Sequence, residues 1–565
     1  MGSRTCLVAV ALLLMRTGGL APDDAEPRHY QDPNDEPLLP PTPREHPAGG
    51  NHRFSSIRFR TIFGMNVAVA RNICVRPDGG VVLFIPPDDD GELLPPATLS
   101  RLFSQGQYGF RFGWEFYRAL PDRPPPARWR AETAALVRPA VPRHLHHFAE
   151  AVVTLFHGSR YPAAHPFLSD LGVLLLPTVE RRAELPWCLD FLDLVLAAAE
   201  AQGAKRPRAV FAEDWDGDNG GASNASSGGA PDGESKCFDN AVLVGMHSSE
   251  FGLFADAAEA TAFRRFAYRH LLGAPAAEAL EAASDARGAN GQVATFVLER
   301  WRTRRLVNAD DVRASLRATG LLSLDFSLDW LAPALAAAAP APRPPLAFTR
   351  SFDGPAAGPA GGASGGAAAA WSSSLAAQVA WMAATDVLVG VHGAGLVNGV
   401  FLQPGSVVVD LLCPGFTELS FAGAVAGAGS HYLFLPNTNW SSGSYGGERG
   451  VPSGGPLVGS LEADADGPGA GRRAGAGPEN LPENLPASCL AGSPTEAAAL
   501  ACLPLRNCDL AADAAALEGL ARQAAMLVRL GKRRRLLARD VALTSGAWAR
   551  GRLPGNPEEP LDPLP

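Results

Sequence analysis

The stretch from Thr385 to Asn398, with the apolar run that follows it to Leu412, constrains the fold more than any other part of the chain. Val387 to Val391 is an unbroken apolar run, the pattern of a strand buried on both faces of a parallel sheet. His392-Gly393-Ala394-Gly395 follows, and Gly393 and Gly395 let the backbone turn tightly and approach a ligand closely. Leu396 to Leu402 is long enough for two helical turns, which Pro404-Gly405 stops. Val407-Val408-Val409 then reads as the next strand. His392 therefore sits where a parallel strand ends and a helix begins. Open α/β sheets bind ligands at such ends, and the N–H groups of a helix's first turn can hold a phosphate. A glycine turn after a strand is common, and the spacing is not GxGxxG, so the dinucleotide fingerprint is absent. The His is less easily explained by structure alone, because a cap would be served better by Ser, Asp or Asn.

Two further segments carry polar residues in chemically meaningful patterns. In Arg143-His144-Leu145-His146-His147-Phe148-Ala149-Glu150, helical spacing puts His146 and Glu150 at i and i+4, with His147 three residues before Glu150. A carboxylate beside an imidazole can act as a tuned base. The spacing also invites a zinc reading, but HExxH is absent and no third ligand is evident. The second segment, Glu299 to Asp311, places Arg300, Arg304 and Arg305 after an expected strand. Guanidinium groups suit bidentate contacts to a diphosphate, although a basic loop can also be merely solvated.

D-x-L-x-G-x-H-G-A-G-L-x-N followed by F-L-x-P-G-S-V-V-V-D resembles the hallmark of the family 61 glycosyltransferases. That family includes EGF-domain-specific O-GlcNAc transferases and plant β-1,2-xylosyltransferases. The run ending at Glu150 resembles its H-H-F-x-D segment, with Glu in place of Asp. The arginine segment resembles its S-R-x(3–4)-R-x-(I/L)-x-N-x-(D/E)-(E/D), with Glu299 in place of Ser. Cys237-Phe238-x-x-Ala241-Val242 resembles a C-F-x-x-A-(V/I) segment and reads as a packing element. The four matches keep the family's order over roughly residues 70 to 440. The resemblance implies an α/β protein of GT-B type, with two Rossmann-like domains facing a cleft. It also implies an inverting transfer of GlcNAc or xylose from a UDP-sugar to a protein-linked glycan or a Ser/Thr hydroxyl, with no metal or other cofactor. Glu150, with His147, would be catalytic and take the acceptor's proton. Arg300 with Arg304 or Arg305 would bind the donor and stabilise the leaving diphosphate. His392, Gly393, Ala394, Gly395 and Asn398 would complete the donor site, His392 touching phosphate or sugar. The two Glu substitutions motivate an alternative, a catalytically inactive relative that keeps a nucleotide-sugar or glycan pocket.

At 565 residues the chain exceeds a single core, and its alternating strands and helices imply α/β. Residues 1–20 read as a signal peptide or short signal anchor and 21–50 as a stem. Residues 51–290 are the expected N-terminal, acceptor-side domain. Residues 291–440 are the expected nucleotide-sugar domain, with a low-complexity insert at 340–370. A second low-complexity insertion spans 441–500, and 501–565 form a helical segment and tail. A hairpin is expected across Pro77 to Gly80, and strands at Leu171–Leu176, Arg208–Phe211 and Gln292–Leu298. Helices are expected at Leu189–Glu200, Ala255–Leu272, Leu375–Ala384 and Leu510–Leu537, and at Ala309–Thr319 with Asn308 as its cap. Residues 121–129 read as a loop, and Lys532 to Arg535 as a solvated helix end.

The net charge of −9 argues against a nucleic-acid partner. The ten-residue apolar run Cys6 to Met15 is too short to span a bilayer as a standard helix and fits a signal peptide. A single N-terminal membrane anchor is the alternative. Sequons at Asn224 and Asn439 fit entry into the secretory pathway as glycosylation sites. With no KDEL-like tail, the Golgi lumen is preferred over the endoplasmic reticulum. Seven cysteines follow Cys6, and their pairing is not legible. Asp214-x-Asp216-x-Asp218 begins like an EF-hand, but Asn219 and Ala225 stand where Gly and Glu are required. Asp88 to Asp90 and Asp464-x-Asp466 lie in turn or low-complexity sequence and read as solvated.

Overall fold

The computed structural model describes residues 54–62, 65–85, 114–118, 129–139, 145–162, 165–181, 186–215, 235–247, 253–254, 257–298, 304–323, 375–413, 420–436, 443–445 and 508–549. Outside them lie the expected signal segment and stem, the 340–370 insert, Arg300, Asn224, Asn439 and both D-x-D sequences. The chain is α/β, as expected, and among the described residues it is built on two larger sheets and one small pair.

The first sheet contains β1 (Ser56–Ile62), β2 (Met65–Val75), β3 (Val81–Ile85), β4 (Trp114–Arg118), β5 (Trp129–Val137), β6 (Val173–Leu176), β7 (Arg208–Phe211) and β8 (Lys236–His247). Its order is β4-β3-β2-β8-β5-β6-β7, with β1 paired to β2. The expected hairpin joins β2 to β3. Asp78 Oδ1 accepts the Gly80 N–H at 2.8 Å, and Gly79 sits at φ 79°, where a side chain would be strained. Trp129 begins a strand rather than ending a loop. Within the run β8-β5-β6-β7 every pairing is parallel, whereas β2 pairs antiparallel with β1, β3 and β8. A disulfide joins Cys74 on β2 to Cys237 on β8, and Cys413 is also disulfide-bonded. Phe238 and Ala241 of the C-F-x-x-A-V sequence are buried on β8, consistent with packing.

Helices α1 (Leu145–Arg160), α2 (Pro166–Ser169) and α3 (Pro186–Ala201) connect this sheet's strands. Helices α4 (Ala257–Leu272) and α5 (Ala274–Ala289) then lead to the second sheet. That sheet contains β9 (Ala294–Leu298), β10 (Leu322–Ser323), β11 (Val387–Val391), β12 (Val407–Leu412) and β13 (His431–Pro436). All its pairings are parallel, in the order β10-β9-β11-β12-β13. Counted within the sheet this is 2-1-3-4-5, a doubly wound order whose switch point falls between β9 and β11. Helices α6 (Ala309–Ala318), α7 (Leu375–Ala384), α8 (Ser420–Gly427) and α9 (Ala514–Ala549) complete the layers. A short pair, β14 (Gly443–Tyr445) with β15 (Cys508–Leu510), brings the start of the expected second insertion into regular structure.

One continuous apolar cluster runs from the first sheet through α1, α3 and α4 to Leu396, Phe401 and Val425 beside the second sheet. Polar contacts bridge the same seam. Arg264 of α4 donates to the Ala428 carbonyl at 3.1 Å, and the Tyr268 hydroxyl donates to the Phe401 carbonyl. A second cluster fills the other face of the second sheet, between β11, β12, α6 and α9. Among the described residues no helix is long and apolar enough to cross a membrane.

Three local expectations change. The helical turns expected over Leu396 to Leu402 form as a 3-10 helix, Ala394–Phe401, that starts two residues earlier. It lies flush on the sheet: a Cβ on Gly395 would meet Leu298 at 3.0 Å, and one on Gly399 would meet Val408 at 3.0 Å. Asn308 stands at the N-cap of α6, but its side chain does not cap. It clamps Ala512 in both directions, its amide on the Ala512 carbonyl and its oxygen under the Ala512 N–H, each at 2.9 Å. Lys532 is not a solvated helix end, because α9 continues to Ala549. Its ammonium is buried, 2.7 Å from Asp386 Oδ1 and 3.2 Å from the Ser284 carbonyl.

Candidate functional site

Parallel pairing of β11 with β12 sets Gly390 beside Asp410, so Asp410 and His392 reach the same end of the sheet. The His392 N–H continues the ladder to the Leu411 carbonyl at 3.0 Å, which holds its backbone in register. Its ring turns back to Asp410, with Nδ1 2.7 Å from Oδ2. Tyr432 on β13 donates its hydroxyl to the same oxygen at 2.5 Å. His392 and Asp410 are fully buried. Asp410 Oδ1 is buried without a hydrogen-bond partner among the described residues.

Helix α1 delivers a second group to this end. The helix is apolar and buried over nearly its whole length, so its polar residues must satisfy one another or a ligand. His147 Nδ1 lies 2.8 Å from Glu150 Oε2, and the carboxylate accepts that ring N–H. His146 Nε2 lies 3.1 Å from Glu150 Oε1, within ion-pair range, and among the described residues neither ring nitrogen of His146 has a well-aligned hydrogen-bond partner. Burial pushes the Glu150 carboxyl up. The charge of His146 and the hydrogen bond from His147 outweigh burial and hold it well below the ordinary carboxylate range. Phe421 of α8 joins the two groups, its ring 4.8 Å from that of His146 and 4.9 Å from that of His392.

The two alternatives for the second arginine separate. Arg304 donates to the His392 carbonyl at 3.3 Å, and its own backbone has φ 57°, a left-handed conformation that is strained for a non-glycine residue. Arg305 is held as a fork on Asp509 at 3.0 and 2.7 Å, and its N–H also donates to that carboxylate. Arg300 lies outside the described residues. Asn398 is engaged within the protein: it accepts the Trp187 indole N–H at 3.2 Å and donates to the Gly395 carbonyl at 3.1 Å. Gly393 is buried in the turn, with Ala394 and Gly395 half-buried beside it. Among the described residues no group of three or more His, Cys, Asp and Glu side chains is arranged to hold a metal ion.

The structure thus brings together Glu150, His147, His392, Arg304 and the glycine turn, and turns Arg305 and Asn398 to other partners. It keeps His146 beside Glu150, as the helical spacing expects, and adds Asp410, Tyr432 and Phe421. Asp410 closes the hallmark sequence, but nothing in sequence pairs it with a His 18 residues earlier. Tyr432 and Phe421 carry no sequence signal, because the order of the strands brings Tyr432 here and the packing of α8 brings Phe421.

The sequence model of the family described as Glycosyltransferase 61 matches residues 370–409, which span α7, β11, the 3-10 helix and the start of β12. Over that segment the chain is similar to the family 61 glycosyltransferases, and the match supports a glycosyltransferase. No curated protein matches the chain.

Proposed function

We propose that the protein is an inverting glycosyltransferase of GT-B type that moves GlcNAc or xylose from a UDP-sugar to a protein-linked glycan or a Ser/Thr hydroxyl. Residues 51–290 would form the acceptor side and 291–440 the donor side. The observation that carries this reading is the meeting of two buried carboxylate–histidine groups across Phe421, beside the switch point of a parallel sheet. Unsatisfied polar atoms on His146 and Asp410 support a ligand there, because each such atom costs about 1–3 kcal/mol when left without a partner.

In this mechanism Glu150 keeps the proton on His147 Nδ1, leaving Nε2 to receive the proton of the acceptor hydroxyl. The hydroxyl oxygen attacks the anomeric carbon. The bond from that carbon to the diphosphate breaks, and UDP departs with the electron pair. Arg304, His392 and the N–H groups of the glycine turn stabilise the departing charge. The Cys74–Cys237 disulfide supports an oxidising compartment, and we place the protein in the Golgi lumen, cleaved or held by one N-terminal anchor.

Thermal denaturation against a panel of UDP-sugars, followed by UDP-release assays with glycoprotein and peptide acceptors, tests the proposal. One UDP-sugar should raise the melting temperature and support turnover, and His392→Gln should lose turnover while remaining folded. Absence of stabilisation by every donor would reject the reading. Binding without release would favour the inactive, binding-only alternative, to which the full burial of Glu150 lends support.

A further inference from the structure

Three adjacent strands converge on one carboxylate oxygen. Asp410 Oδ2 accepts the Nδ1–H of His392 and the hydroxyl of Tyr432. Two donors on one oxygen suit an ionised carboxylate. Among the described residues neither Lys nor Arg pairs directly with Asp410, and the imidazole of His392 is the titratable base in contact with it. An imidazole with both nitrogens protonated has two N–H groups on opposite edges. One can serve the carboxylate behind the ring while the other serves an anion in front of it.

We infer that Asp410 and Tyr432 are positioning residues that hold His392 as a doubly protonated clamp for the diphosphate of the donor. The inference rests on the UDP-sugar reading above. Asp410 fixes a proton on Nδ1, and in the donor complex a second proton, taken up from solvent, lies on Nε2 between the ring and the diphosphate. Tyr432 fixes the carboxylate's orientation through Oδ2, because among the described residues Oδ1 has no hydrogen bond to hold it. Arg304, donating to the His392 carbonyl, sets a permanent cation at the same end. The arrangement places positive charge where the leaving group's charge develops.

The test uses the full chain with UDP-GlcNAc and UDP-xylose, whose diphosphates stay ionised across the neutral range. Asp410→Asn keeps the shape and removes the charge. It should weaken donor binding by about tenfold, the difference between a charge-assisted and a neutral hydrogen bond. Asp410→Glu should recover part of that loss. Tyr432→Phe, at the edge strand, should fold normally and weaken binding by about two- to threefold. Nitrogen-15 NMR of histidine-labelled protein, with the signal assigned by its loss in His392→Gln, reads the ring directly. His392 should carry protons on both nitrogens in the wild-type donor complex and on one in Asp410→Asn. A singly protonated His392 in the wild-type complex overturns the inference even if Asp410→Asn fails to fold. Unchanged affinity in folded Asp410→Asn also overturns it. Failure of wild type to bind any UDP-sugar removes the functional reading and this inference together, an outcome distinct from the other two.

Discussion

Strand β11 is flanked by two buried acids, Asp386 just before its start and Asp410 on the neighbouring β12 beside its end, and the two are neutralised by different means. Near its start, Asp386 accepts the Ala294 N–H at 2.9 Å, with Lys532 of α9 at 2.7 Å and Arg287 of α5 at 3.6 Å. The three partners come from separate elements, and two of them are cations. Near its finish, Asp410 is met by an imidazole and a phenol, groups that can change protonation or give up a hydrogen bond. Fixed cations and a backbone donor suit a joint that must never open. Exchangeable donors suit a place where an anion arrives and departs. Charge at the first end should therefore govern stability, and charge at the second should govern binding and turnover.

Removing Lys532 gives the largest expected effect. Lys532→Met leaves Asp386 buried with one cation fewer, and breaking a buried pair by losing one partner costs about 3–5 kcal/mol. Urea unfolding should show that loss, while UDP affinity of the remaining folded fraction stays at the wild-type value. A loss below about 1 kcal/mol would place Lys532 in the class of exposed pairs and erase the contrast between the two ends.

The second effect concerns the group opposite His392. Glu150→Gln should reduce turnover by about 10²-fold or more, the usual worth of a general base, with little change in UDP affinity. His147→Gln should cost as much if the proton travels to the imidazole. Full activity in His147→Gln with loss in Glu150→Gln would return the proton to the carboxylate. Acid stability supplies an independent reading. The folded Glu150 carboxyl is held below its ordinary range, so its contribution is fully present above the unfolded group's pKa, about 4.3. It is lost as pH falls through the folded value. Glu150→Gln should therefore flatten the acid limb of a stability profile and leave the neutral region's slope unchanged.

How much of this was legible in sequence follows the kind of signal each part carries. Strand β11, its glycine turn and β12 announce themselves because a strand buried on both faces of a parallel sheet reads as a near-continuous apolar run. Helix α7 is found to the residue, Leu375–Ala384. Strand β5 was not legible: Trp129-Arg-Ala-Glu-Thr-Ala-Ala-Leu-Val137 is rich in helix formers, and its place between β8 and β6 overrides them. Helix α5 is Ala-rich without a clear apolar stripe. At the site, the His146-to-Glu150 spacing was legible because helix geometry is local. The pairing of Asp410 with His392 and Tyr432 was not, because it depends on strand order. The burial of Lys532 was not legible for a related reason: within a Lys-Arg-Arg-Arg run, nothing local marks Lys532 as a side chain that meets Asp386.

The smallest effect separates two neighbouring arginines and sharpens the same contrast at close range. Arg304 donates to the backbone of the residue at the site, while Arg305 is spent on Asp509, which anchors the β14–β15 pair beside the sheet. Arg304→Ala should weaken UDP binding by about 1–3 kcal/mol, the range for losing a charge-assisted contact, with a small change in melting temperature. Its strained backbone adds a further check, because Arg304→Gly relieves the left-handed conformation. That variant should lose affinity as Arg304→Ala does, without a comparable loss of stability. Arg305→Ala should do the reverse, lowering the melting temperature by loosening Asp509 while calorimetry finds UDP affinity unmoved. If both variants weakened UDP equally, the fork on Asp509 would have to open when the donor binds, and the division between structural and binding charge would not hold at this end of the sheet.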